Sequence, residues 1–132
     1  MENPLNTYST AALAYLGDAV LELRVRERLL TMGFTSSKAL NSHALEYVRA
    51  GAQARAMERL LPVLSEEENA VFHRGRNAGH GQHPKGASVG EYRNATGMEA
   101  LFGYLFMMKN EARITELFEI AYPKEEQNAD QV

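Results

Sequence analysis

Apolar and polar positions along the chain repeat with a helical period almost throughout, and no stretch alternates for long enough to predict a β-sheet. Ser9 is a good N-cap and Gly33 a good C′ residue for a first helix of about 23 residues. A helix that is apolar on two sides is central to a core or is shared with a second chain. The apolar residues of this helix form two roughly opposite faces: Leu13, Leu16, Val20, Leu23 and Leu30 on one, and Ala11, Ala14, Leu21 and Val25 on the other.

The rest of the chain predicts further helices separated by turns. Thr35 or Ser36 caps one helix, and Ser65–Glu68 forms the capping box of another. A glycine-rich segment at about residues 77–92 lacks apolar periodicity and predicts a mobile loop. Thr96 or a nearby residue begins the next apolar helix, and Pro123 stops the last one. We therefore expect one all-α domain over residues 1–123 and a polar, disordered tail over residues 124–132.

Composition describes an ordinary globular protein. The chain has 132 residues, of which 45% are hydrophobic and 23% charged, which suits a single domain with a real core. The absence of cysteine excludes disulfides and zinc-thiolate sites. No apolar run reaches membrane-spanning length and no leader is evident, so we expect a cytoplasmic protein without a membrane partner.

Charge is distributed unevenly. The net charge of −3 argues against a protein that coats nucleic acid indiscriminately. Between residues 73 and 93, however, the fixed charges are positive except for Glu91, and a local basic segment suits a site-directed contact. His80 and His83 lie in this segment, but they lack a third ligand and are weak candidates for metal binding. The positive residues of the segment are Arg74, Arg76, Lys85 and Arg93.

Asp18 is the first candidate for chemistry. By helical spacing it shares a face with Ala14, Leu21 and Val25, and it is the only charge on that face. An ionised carboxylate on an apolar surface is costly unless it is paired or binds a metal. Taken alone, an aspartate of this kind is more often a surface residue or one satisfied by a core partner.

Three motifs resemble the ribonuclease III family. The phrase YLGDAVL at residues 15–21 is similar to the signature helix of that family, and YRNATGMEALFGYL at residues 92–105 is similar to its second acidic helix. The intervening RGRNA at residues 74–78 and the length narrow the resemblance to the Mini-ribonuclease III branch. The resemblance covers roughly residues 5–120.

The resemblance implies an all-α endonuclease domain that forms a homodimer, with two active centres in one valley that cut opposite strands of an RNA duplex. It implies a Mg²⁺-dependent endoribonuclease that matures the 5′ and 3′ ends of the 23S ribosomal RNA precursor. Asp18 and Glu99 would be the catalytic, metal-binding carboxylates. Mg²⁺ prefers one or two protein carboxylates and keeps water or phosphate oxygens as its other ligands, so two suffice.

Two features of the sequence leave alternatives open. Thr96 and Glu99 also form a good capping box, in which Glu99 would only serve the helix N-terminus, although a helix that starts earlier would free its side chain. The larger ribonuclease III enzymes carry further carboxylates where this chain has Ala14 and Thr96, and Glu22 is a weak substitute. The alternative function is therefore a catalytically silent helical dimer that binds structured RNA or a ribosomal protein.

Basic and amide side chains around the predicted loop are the candidates for RNA binding. Arginines bind phosphate and the minor groove of A-form RNA, although in an arbitrary protein the same charges would more often be solvated or stabilise a helix C-terminus. Because the double-stranded-RNA-binding domain of the larger enzymes is missing, we expect recognition to come from this domain or from a ribosomal protein bound to the substrate. The candidate residues are Arg74, Arg76, Asn77, Lys85 and Arg93.

Overall fold

The computed structural model describes residues 2–78 and 88–124, and these residues contain helices and turns but no strand. The elements in chain order are α1 (Pro4–Thr7), α2 (Thr10–Thr31), α3 (Ser37–Val48), α4 (Ala50–Leu60), a 3-10 turn (Leu61–Val63), α5 (Glu66–Ala78), α6 (Val89–Met107) and α7 (Glu111–Ala121). The predicted all-α class is confirmed. No helix in the described ranges combines the length and the apolar character that crossing a membrane requires.

Most of the predicted helix ends are confirmed. The Ser9 hydroxyl accepts a hydrogen bond from the Ala12 amide at the start of α2, and Ser36 caps α3 in the same way. Gly33 follows α2 with a φ of 103°, a left-handed conformation that glycine adopts without strain. The predicted capping box of α5 is present in both directions, since Ser65 and Glu68 each accept from the other's amide.

The start of α6 corrects the prediction. The helix begins at Val89 rather than near Thr96, and its capping box consists of Ser88 and Glu91. The Thr96 hydroxyl instead donates to the Tyr92 carbonyl within the helix. The capping role proposed for Glu99 is therefore wrong, because a box at Ser88 places Glu99 three turns inside the helix. The signal that the sequence analysis passed over was Ser88 three residues before Glu91.

The predicted loop at about residues 77–92 is shorter than expected at both ends. Residues 77–78 belong to α5 and residues 89–92 to α6. Ser88 is the N-cap of α6, and residues 79–87, which include His80, His83 and Lys85, lie outside the described part of the chain. The predicted tail also lies outside it from residue 125 onward.

Helix α6 lies at the centre of the core, packed against α2, α4, α5 and α7. Its segment from Ala100 to Leu105 is buried on every side, as a central helix requires. Helix α2 has only one buried side, which combines residues from both predicted faces. The other side leaves Leu23 and Leu30 exposed, at 68% and 56% of their full accessibility. The sequence leaves open a central position in the core for the first helix, α2. The structure places α6 there instead.

Glycines allow α2 and α6 to cross with their backbones in contact. A Cβ on Gly17 would overlap the carbonyl oxygen of Glu99 and lie 2.8 Å from the backbone nitrogen of Gly103. A Cβ on Gly103 would overlap the carbonyl oxygen of Leu13. Glycine inside a helix costs about 1 kcal/mol relative to alanine, and here the close approach explains why it is tolerated.

Candidate active site

A surface groove of about 310 Å³ lies between the first half of α2, the end of α5 and the first half of α6. It contains both candidate carboxylates, which are 81 positions apart in the sequence. The crossing of α2 and α6 brings them together. The groove is lined by Thr10, Ala11, Ala14, Tyr15, Asp18, Ala78, Tyr92, Thr96 and Glu99.

The two carboxylates differ in exposure and interact with each other. Asp18 is exposed, whereas Glu99 is half-buried. Burial, the negative charge of Asp18 and a hydrogen bond to the Asp18 carboxyl group together raise the pKa of Glu99 to about 8, and burial is the largest of the three causes. The sequence predicts that Asp18 is the carboxylate that an apolar surface keeps from water. That expectation is wrong, because Asp18 reaches solvent, and the carboxylate that loses contact with water is Glu99.

No opposite charge within the described residues neutralises this pair. The salt bridges found there involve neither Asp18 nor Glu99. In residues 2–78 and 88–124, no group of three or more His, Cys, Asp or Glu side chains is placed to hold a metal ion. Two carboxylates with open groove beside them still fit a hard divalent cation such as Mg²⁺, which completes its shell with water and phosphate oxygens.

The positions that carry extra carboxylates in the larger enzymes lie in the same groove. Ala14 lies one turn before Asp18, and Thr96 lies one turn before Glu99, and both line the groove beside the carboxylates. The groove therefore has two acidic side chains where the larger enzymes are expected to carry four. Glu22 does not join them, because its carboxylate accepts from Arg26 at 3.2 Å and it does not line the groove.

The described RNA-binding candidates lie beyond the edge of the groove rather than in it. Arg74 and Asn77 are exposed near the end of α5. Arg76 is half-buried, and its Nε donates to Oδ1 of Asn94 at 2.9 Å, so it also ties α5 to α6. Arg93 is half-buried at the start of α6, and Lys85 lies outside the described residues.

Two tyrosines in the groove wall were missed in the sequence analysis. Tyr15 is one turn before Asp18 on α2 and is 85% exposed. Tyr92 is two turns before Glu99 and lines the groove from α6. Helical spacing from the carboxylates identifies both residues, but the spacing applies to Tyr92 only once α6 is known to start before it.

Comparisons with known proteins agree with this geometry. A family model described as "Ribonuclease III domain" matches residues 11–110. The chain is 48% identical over 122 residues to the Mini-ribonuclease 3 of Symbiobacterium thermophilum, covering 92% of each chain. It is 50% identical over 107 residues to that of Desulfitobacterium hafniense, covering 81% of this chain and 68% of the relative. A crystal structure of a Fusobacterium nucleatum protein is similar with a TM-score of 0.84 at 30% identity, covering 94% of this chain and 99% of that one.

Proposed function

Since this chain belongs to the ribonuclease III family, and within it to the Mini-ribonuclease 3 proteins, it is an endoribonuclease acting on double-stranded RNA, and we propose that Asp18 and Glu99 are its metal-binding catalytic carboxylates. We propose Mg²⁺ as the divalent metal. The observation that carries this proposal is the pair itself: two facing carboxylates in one groove, with no described cationic side chain between them.

Bound Mg²⁺ would neutralise charge on the phosphate and lower the pKa of a bound water so that it attacks phosphorus. Asp18 on the exposed wall of the groove and Glu99 on its half-buried wall would hold the ion. Glu99 must release its proton to become a ligand, since a protonated carboxyl is a poor one. The backbone contact at Gly17 holds the two walls together, which orients both side chains before RNA arrives.

The experiment is cleavage of a labelled RNA duplex with EDTA, with Mg²⁺ and with Ca²⁺. We expect cutting only when Mg²⁺ is added, and no cutting of the separated strands. Cleavage that continues in EDTA would overturn the metal assignment. Retention of full activity by Asp18→Asn and Glu99→Gln would overturn the residue assignment.

We propose a homodimer, on the evidence of one exposed side of α2. Apolar residues recur there with three-, four- and seven-residue spacing, and all of them are exposed except Leu16, which is half-buried. A regular apolar strip on one helix is suited to a two-fold interface, and two related centres match the two strands of a duplex. The strip consists of Ala12, Leu16, Ala19, Leu23 and Leu30.

Sedimentation measures the oligomeric state directly. We expect a dimer at micromolar concentration and a shift toward monomer in Leu23→Glu. Leu45→Glu is the matched control, because Leu45 is also an exposed leucine, at 44%, but lies on α3. A monomeric wild type that cuts RNA at the same concentration would contradict the proposal.

We propose the paired ends of the 23S ribosomal RNA precursor as the natural substrate, and the support for it is the family resemblance alone. The test compares the precursor stem, with and without its ribosomal proteins, against an unrelated duplex of equal length. Cleavage at the mature ends, with or without a stimulating ribosomal protein, is the expected result. Equal cutting of both duplexes at scattered positions would argue against this substrate.

The alternative of a silent RNA-binding dimer rests on Ala14 and Thr96, which reduce the site to two carboxylates. The similarity to Mini-ribonuclease 3 proteins does not favour it, since it extends over 92% of the chain and across both acidic helices. The duplex assay above separates the two functions.

A further inference from the structure

We propose that Gly103 is a positioning residue for the metal site, and that its backbone contact with α2 sets the spacing between Asp18 and Glu99. This inference rests on the proposed role of the two carboxylates. It adds a residue that touches neither metal nor substrate. Gly103 lies one turn after Glu99 on α6, on the side that faces α2.

The contact at this crossing is between backbones, which makes it rigid. An added Cβ at Gly103 would overlap the carbonyl oxygen of Leu13 and lie 3.1 Å from the nitrogen of Gly17. Both atoms belong to the α2 main chain, which cannot rotate away as a flexible side chain can. The two helices can therefore accept even one methyl group only by moving apart.

Such a movement would act directly on the carboxylates. Asp18 follows Gly17 on α2, and Glu99 supplies the backbone atoms that Gly17 touches. Separation of the helices at Gly103 therefore lengthens the gap that one cation must bridge. Magnesium-type coordination tolerates little change, because its oxygen ligands lie within a narrow range of distances.

The crossing of α5 and α6 offers a matched control. An added Cβ on Gly75 would also be crowded, at 2.8 Å from the Ala100 Cβ and 2.8 Å from the Gly97 Cα. Gly75 packs against α6 from α5, however, and not from the helix that carries Asp18. Because α6 is held by α2, α4 and α7, we expect Gly75→Ala to lower stability by moving α5 away from α6, with the contact between α2 and α6 unchanged.

The experiment measures Mn²⁺ binding to the RNA-free protein by electron paramagnetic resonance, because Mn²⁺ accepts the same oxygen ligands as Mg²⁺ and is detected directly. We expect Gly103→Ala to raise the Mn²⁺ dissociation constant by at least about 10-fold, as changes in the support of metal ligands typically do. Gly75→Ala should stay within about twofold of the wild type. Circular dichroism confirms that both variants are folded at the temperature used.

A longer carboxylate provides a readout that loss of stability alone cannot produce. In the wild-type spacing, Asp18→Glu extends the carboxylate beyond the position from which one cation can also reach Glu99, so we expect Mn²⁺ binding to weaken about 10-fold. In the double variant with Gly103→Ala, the longer side chain spans the wider gap and restores part of the affinity. If Gly103→Ala does not fold, the single variant Asp18→Glu still tests the inference. Wild-type Mn²⁺ affinity in Asp18→Glu would overturn it.

The failure of the inference differs from the failure of the proposed function. Wild-type Mn²⁺ affinity in Gly103→Ala, together with lost affinity in Asp18→Asn, removes only the positioning role. Wild-type affinity in Asp18→Asn removes the metal site itself.

Discussion

Two glutamates that pack against neighbouring helices, Glu68 and Glu99, have opposite electrostatic environments. Glu68 on α5 meets Arg113 of α7, with two hydrogen bonds of 2.7 and 2.8 Å, and Arg113 together with the Ser65 amide holds the pKa of Glu68 below its ordinary value. Glu99 on α6 meets Asp18, a second carboxylate, and its pKa is raised to about 8 by burial and by that like charge. The charge of Glu68 is therefore balanced by an arginine of the same fold, whereas no described cation balances the charges of Glu99 and Asp18.

The two environments suit different roles for Glu68 and Glu99. A carboxylate with an arginine partner stabilises the fold and has no capacity left for a ligand. Two facing carboxylates without a described cation repel each other when both are ionised, and a positive charge from outside would relieve that repulsion, as in many active sites. Each prediction below tests one side of this contrast.

The largest effect should come from Asp18→Asn, which removes one charge of the unsatisfied pair. We expect duplex cleavage to fall by at least about 100-fold, because a lost ligand costs more than the 10- to 100-fold typical of its supporting residues. Above about pH 8, where Glu99 is ionised, thermal stability should rise because the repulsion between the two carboxylates is gone. The measurement is single-turnover cleavage beside a melting curve. A stable variant that cuts at the wild-type rate would remove Asp18 from catalysis.

Glu68→Gln makes the corresponding change in the pair of Glu68 and Arg113. It removes the buried carboxylate partner of Arg113 and leaves only the exposed Glu116, so we expect a loss of about 1.5 to 3 kcal/mol in the free energy of unfolding, the range for hydrogen bonds to charged groups. Cleavage per folded molecule should be unchanged. Urea denaturation with a parallel activity assay tests both statements, and Glu99→Gln is the paired control with the opposite pattern.

The pH dependence of stability should have opposite signs for the two residues. The pKa of Glu99 rises from 4.5 to about 8 on folding, so the folded protein binds this proton more tightly than the unfolded chain does. The stability of the metal-free protein should therefore fall as the pH rises from about 4.5 to 8. The pKa of Glu68 is lowered, so its contribution is present above the ordinary pKa and is lost as the pH falls through the lowered one.

Urea denaturation in EDTA at several pH values measures this dependence. Glu99→Gln should abolish the fall in the free energy of unfolding between about pH 4.5 and 8. Glu68→Gln should leave that fall in place and change the free energy of unfolding only at lower pH. A wild-type stability that stays flat between pH 5 and 8, with the Glu99→Gln curve parallel to it, would contradict the raised pKa.

The smallest effect concerns the basic residues that the sequence predicts to bind RNA. Replacement of Arg74, Arg76 and Lys85 by Ala should weaken duplex binding and reduce the slope of log affinity against log salt by up to about one unit per lost phosphate contact. Turnover at saturating RNA should fall far less than in Asp18→Asn. Arg76 also bonds to Asn94, so Arg76→Ala alone should be checked for lost stability. An unchanged salt slope would remove these residues from RNA binding.

Local sequence patterns were sufficient for the helices, because the signals that start and stop a helix lie within one turn of its end. Ser9, Ser36 and the Ser65–Glu68 capping box were each confirmed, as was the left-handed Gly33. The start of α6 was wrong because two capping boxes compete there. The pattern at Thr96 is as good locally as the one at Ser88, and a local pattern cannot rank them.

The choice between those two starts depends on packing. A helix from Ser88 buries Ala95 and Met98 in the core as part of the central helix. A start at Thr96 would leave the backbone before it without those contacts. Burial of apolar surface is a property of the whole fold, so it overrides equivalent local signals.

The sequence alone determined the helical class and most helix ends, because caps are local, and it predicted Asp18 and Glu99 as the candidate carboxylates from the motifs around them. Only the tertiary structure decided that these residues share one groove, that Glu99 rather than Asp18 bears the cost of burial, and that α6 rather than α2 is central. The physical reason is distance along the chain: 81 positions separate the carboxylates, and their spacing depends on a backbone crossing that Gly17 and Gly103 allow but do not by themselves reveal.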